Sequence, residues 1–166
     1  MITTIILSII MMVLLFLMIW SATATLPYKG LADFFPEDVK ERLKPRLDNL
    51  PMSGKRIVGW IMLVAITLMM IGVFIYGGID GIRNEYNFWQ FFARFVIIGA
   101  GVKVFDIICL DFILLTKTHF FQHYFPETEG CDGWKNFGYN RKEQSKQCIM
   151  IPICCVLTAL IFTFIR

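Results

Sequence analysis

Phe91-Phe92-Ala93-Arg94-Phe95-Val96-Ile97-Ile98-Gly99-Ala100-Gly101-Val102-Lys103-Val104-Phe105-Asp106-Ile107-Ile108-Cys109-Leu110-Asp111-Phe112-Ile113-Leu114-Leu115-Thr116 is the stretch on which the architecture turns. It is long enough to cross a bilayer, which takes about 20 mainly apolar residues for a hydrocarbon core about 30 Å thick. Its apolar runs, starting at Phe95, Ile107 and Phe112, suit that role. Against it stand four ionisable residues, Arg94, Lys103, Asp106 and Asp111. Whether it crosses decides between three spans and four.

The flanking sequence supplies three cleaner runs. Residues 1–28 carry no charged side chain, and Ile5 to Trp20 is almost unbroken apolar sequence. Ile57 to Gly78 opens after Lys55-Arg56 and closes before Asp80, and Gln147 to Ile165 lies between Lys146 and Arg166. Transmembrane helices are therefore expected at about 3–24, 57–78, 91–116 and 147–165. Ala22-Thr23-Ala24 has the small-x-small form of a signal-peptide cleavage site. The first run lacks a basic n-region, however, and its apolar core exceeds the usual ~7–15 residues, so an uncleaved helix is expected.

Basic residues in short loops stay preferentially in the cytoplasm. The first loop holds Lys29, Lys40, Arg42, Lys44, Arg46, Lys55 and Arg56, and the loop after the third run holds Lys117, Lys135, Arg141, Lys142 and Lys146. The N-terminal flank has none, the second loop only Arg83, and the C-terminus only Arg166. That alternation is what four crossings require. It predicts both termini outside, with loops 25–56 and 117–146 cytoplasmic.

Composition agrees with a membrane protein. Hydrophobic residues make up 57 % and charged residues 17 %, against about 25 % charged in soluble domains. The net charge of +3 is small, and its basic residues are split between two loops. No nucleic-acid partner is implied.

The polar segments have patterns of their own. Pro36-Glu37-Asp38 is a favoured helix start, and Pro45 is expected to stop that helix about two turns later. Phe35, Val39, Leu43 and Leu47 recur every four residues, as in an amphipathic helix lying on the inner membrane surface. Gly77-Gly78-Ile79-Asp80-Gly81 reads as a turn. Asn87-Phe88-Trp89-Gln90-Phe91-Phe92 reads as an aromatic belt, with Arg94 one turn inside it and able to snorkel to the headgroups. The aromatic stretch from Thr118 to Trp134 is too rich in rings for a disordered linker. It is expected to fold back on the membrane or on the first loop.

The chemistry concentrates on the third run. A charge at the bilayer centre costs about 2.5–3.5 kcal/mol on insertion scales, so such residues find partners or line a cavity. Lys103 and Asp106, three apart, can neutralise each other on one helix. Asp111 has no such neighbour above it, and Arg56 is the candidate mate. The candidate polar site is thus Arg94, Lys103, Asp106, Asp111 and Arg56, with an ion-pair network fixing helix packing as the plainer alternative. His119 and His123 are four apart, a spacing that suits a metal on a helix. Interfacial packing is the competing reading for the pair. The cysteines, Cys109, Cys131, Cys148, Cys154 and Cys155, are expected to form no disulfide.

No phosphate loop, nucleophile motif or internal repeat is visible, and nothing implies a cofactor. The expected fold is all-α: a polytopic membrane protein, one domain over 1–166, with four transmembrane helices and a short interfacial amphipathic helix in the first cytoplasmic loop. Gly99-Ala100-Gly101 offers a small-residue face for close packing. The expected partners are the lipid bilayer and either further copies of the chain or a larger membrane complex. Two functions compete. One is a transporter-like, channel-like or accessory subunit with a polar site on helix three. The other is an enzyme acting on a lipid or isoprenoid at the cytoplasmic leaflet.

Overall fold

The computed structural model describes residues 1–25, 34–48 and 53–166; Lys29, one of the first loop's basic residues, lies outside them. Among the described residues the chain is all-helical, without strands. The order is α1 (Ile2–Thr25), α2 (Glu37–Asp48), α3 (Gly54–Arg83) and α4 (Phe88–Phe105). A π-helix (Asp106–Lys117) follows, then α5 (Phe120–Tyr124), two short 3-10 turns (Pro126–Thr128 and Asp132–Lys135) and α6 (Arg141–Ile165). Helices α1, α3 and α6, of 24, 30 and 25 residues, are long and apolar enough to cross a membrane. Much of their surface would be intolerable in water: Ile61 is 63 % exposed, Leu68 62 % and Phe164 87 %. Apolar exposure on that scale marks surface meant for lipid or a partner. The chain is a multi-pass membrane protein.

Several boundaries differ from the sequence reading. Helix α3 does not end at Gly78 but runs through Gly77-Gly78-Ile79-Asp80-Gly81 to Arg83. The glycines here are packing notches. A Cβ on Gly78 would collide with the Phe162 ring, and one on Gly81 would collide with Phe91. The actual turn is at Asn84–Asn87, where Glu85 takes a positive φ of 53° and Asn87 and Gln90 cap α4 reciprocally. Pro45 does not stop α2, which continues to Asp48 with the proline ring on an exposed face. Helix α6 starts at Arg141, several residues before the apolar run begins.

The chain divides into two compact units. The first comprises Met1–Leu15, Ile66–Phe105 and Lys142–Arg166. Its centre is Phe91, Phe95, Cys155 and Ala159, with Phe74 and Phe162 packed alongside. Phe162 lies at stacking distance from both Phe91 and Phe95. The small-residue face of α4 is used here, Gly99 against Ile151 and Gly101 against Ser8.

The second unit comprises Phe16–Ala65 and Asp106–Arg141. Here the amphipathic helix is not an interfacial one: Phe35, Val39 and Leu43 are buried inside the protein, at 5, 0 and 1 % exposure. They are covered by Phe121, Phe125, Cys131 and Trp134 of the later loop, together with Leu115 and Ala22. Trp134 stacks parallel on Phe121, and Phe35 meets both edge-on. Polar contacts close the seam. The Gly133 N–H donates to Asp38 at 2.8 Å, and Arg46 bridges Glu127 at 2.9 Å and the Tyr124 carbonyl at 3.2 Å. The fold-back expected of this aromatic loop is thus onto the first loop.

Candidate functional site

Arg94 was expected to snorkel outward, and it does the opposite. Its side chain is 1 % exposed and fully occupied within the first unit. Nη2 pairs with Asp80 at 2.8 Å and donates to the Tyr86 hydroxyl at 2.9 Å. Nη1 donates to the Gly77 carbonyl at 2.5 Å, and Nε to the Thr4 hydroxyl at 3.2 Å. The guanidinium also lies over the Tyr86 ring, 4.4 Å from its centroid. One side chain therefore joins α1, α3, α4 and the turn between the last two. The reason is geometric. Once α3 extends to Arg83, the tight turn brings its last two turns antiparallel to the start of α4, so that Gly77 and Asp80 stand beside Arg94. Sequence reading missed Asp80, Tyr86 and Thr4. The available signal was Asp80 itself, the one acid between Arg56 and Glu85, followed across a short turn by a cation in an apolar run.

Further along, Lys103 is buried, with Nζ donating to the Gln147 side chain of α6. Asp106 and Asp111 belong to the second unit and to the π-helix. Its backbone bonds run i→i+5, as in Thr118 N–H to the Ile113 carbonyl at 3.0 Å. That register brings residues five apart near each other, as an α-helix does residues four apart. The five-residue spacing of Asp106 and Asp111, scattered on an α-helix, becomes a shared side here. Asp111 accepts from Asn140 at 3.1 Å. Tyr139, next to Asn140, has its hydroxyl pKa raised by burial first and then by the charges of Asp111 and Asp106. Its hydroxyl donates to the Phe34 carbonyl. Arg56, near the start of α3, is half-buried in the same unit. Sequence reading had named the two aspartates without Tyr139 or Asn140, which only the folded-back loop brings to them.

The histidines are not on a continuation of helix three. The π-helix ends at Lys117, His119 precedes α5 with non-helical geometry, and His123 lies within α5 against the edge of Tyr124. Among the described residues no group of three or more His, Cys, Asp or Glu side chains is placed to hold a metal. All five cysteines are free. Burial pushes the Cys131 thiol pKa up, Arg42 opposes this, and Asp38 and Asp132 add to it. An apolar groove of about 620 Å³ lies between α1 and α3, lined by Leu7, Ile10 and Val73, with Thr3 and Tyr76 as its hydroxyls.

No family model, curated protein or solved structure matches this chain.

Proposed function

We propose that this protein is a four-crossing, non-catalytic accessory subunit of a membrane assembly, displaying a small aromatic head on the cytoplasmic side. The observation that carries the reading is how the polar residues of the third apolar run are used. Arg94, Lys103 and Asp111 are each engaged by side chains or carbonyls of their own chain, as expected of charges that fix helix packing.

In this reading α4 and the π-helix together form the third crossing, between α3 and α6. The basic residues then alternate by side, with loops 25–56 and 117–146 inside and both termini outside. The head formed by α2 and residues 118–140 falls among the basic, cytoplasmic segments. The exposed apolar faces of α1 and α6 offer room for further copies or a partner's helices. The transporter, channel and lipid-enzyme readings need polar groups open to a pore or a lateral cleft. The internal pairing of Arg94 speaks against it as such a group.

Two measurements test this. A reporter fused after Arg166 should behave as exported and one inserted in the 117–146 loop as cytoplasmic; the same side for both overturns the topology. Native mass spectrometry from gently solubilised membranes should find the chain in an assembly. Monomer alone, or solute flux through proteoliposomes holding only this chain, overturns the accessory role.

A further inference from the structure

The head carries a feature that helix packing does not use. Phe137, in the turn after the last 3-10 segment, is 51 % exposed, although aromatic rings dominate the core beside it. Its ring meets Phe112 edge-on at 5.5 Å. Phe112 lies on the π-helix, itself 41 % exposed and flanked by the 41 % exposed Ile113. The Lys117 ammonium stands 5.2 Å from the Phe112 ring centroid, one turn further along. Lys135, two residues before Phe137, is 81 % exposed with only a 3.4 Å pair to the still more exposed Asp132. Two open rings and a third apolar side chain are thus bordered by two lysines.

We infer that this patch is where the head docks on its own bilayer, with Phe137 entering the interface beside Phe112 and Lys117 and Lys135 taking up anionic lipid headgroups. The chemistry matches on both counts. Phe side chains of interfacial segments bury at the headgroup–acyl boundary, while lysines beside them keep their charge in water and cover apolar surface with their stems. Basic residues at the membrane surface attract anionic lipid. The patch is continuous with a helix of the third crossing, so the bilayer is the surface that reaches it without any further partner. The inference rests on the four-crossing reading, because Phe112 has to lie near the inner end of a span.

The test uses the full-length protein in lipid nanodiscs. In Phe137→Trp, bromine on the upper acyl chain should quench more tryptophan emission than in the parent, while aqueous iodide should gain no access. No added bromine quenching, or new iodide quenching, overturns the docking. Native mass spectrometry from mixed phosphatidylglycerol and phosphatidylcholine nanodiscs then reads the headgroup preference. Lys117→Ala and Lys135→Ala should each lower the anionic-to-zwitterionic adduct ratio about fivefold. Lys44→Ala, on the exposed face of α2, should leave the ratio unchanged, and an equal fall there overturns the patch in favour of net charge. The reporter fusions separate the two failures. If they uphold four crossings and the quenching fails, only the docking falls; if they fail, the crossing reading itself is lost.

Discussion

Arg94 and Asp111 sit on one continuous run of helical sequence, yet the protein treats them differently. Arg94 is enclosed by apolar helices, and four acceptors from three parts of the chain converge on it. Asp111 is half-buried on a π-helix and accepts from Asn140, one residue from a tyrosine whose hydroxyl pKa is raised by burial and then by the two aspartates. The first arrangement is made by helices lying side by side. The second needs a loop to return. Where water is excluded, the charge draws in a carboxylate, a carbonyl and two hydroxyls, so that each guanidinium nitrogen has a partner.

The comparison can be broken most directly at Arg94. Arg94→Ala strands the Asp80 carboxylate and the Gly77 carbonyl, and losing one partner of a buried pair costs about 3–5 kcal/mol. Interhelical polar contacts in membranes average nearer ~0.6 kcal/mol each, but several are lost together here. Arg94→Lys, without the planar fork, should recover only part of the stability. Reversible unfolding in mixed micelles reads both. A loss below about 1 kcal/mol for Arg94→Ala would show that the network is dispensable.

Asp111→Ala should cost less, about 1.5–3 kcal/mol for a hydrogen bond to a charged group. Asp111→Asn should restore most of it by keeping the volume and an acceptor for Asn140. Asp106→Ala should cost less still. If Asp111→Asn keeps full stability but abolishes a cellular phenotype, the carboxylate acts in chemistry and the accessory reading fails at that residue.

The smallest effect belongs to Tyr139 and appears only in alkali. Its folded pKa is raised above the ordinary value of about 10. The unfolded chain therefore releases the proton first. The stabilisation is complete below about pH 10 and is lost as pH rises from there toward the folded value. Denaturation midpoints should fall with pH above about 10 in the parent, and Tyr139→Phe should flatten that decline. An unchanged slope would show that burial and the aspartates do not raise the Tyr139 hydroxyl in the folded chain.

Much of this was legible in the sequence, and the misreadings have identifiable causes. Charge-free length alone located α1, α3 and α6. The glycines near Asp80 were taken for a turn because glycine serves both as hinge and as notch, and only the facing rings of Phe162 and Phe91 decide which. Arg94 was sent outward because its partner acid lay in that supposed turn. The amphipathic period of α2 was correctly visible, but a period says that a face is covered, not by what. The π-register was beyond reach, since no residue pattern between Asp106 and Lys117 announces an i→i+5 ladder.

The burial of α2 has a consequence for how the chain is made. Val39 and Leu43 leave the ribosome about ninety residues before Trp134, which will cover them. At ~5–20 residues per second, the bare face waits on the order of 5–20 s, while α3 and the segments after it are still being inserted. During that interval only the end of α1, through Ala22 and Ile19, is already made to meet it. Until the aromatic loop is made, Val39 and Leu43 lack the cover that Phe121, Phe125 and Trp134 give them in the finished fold.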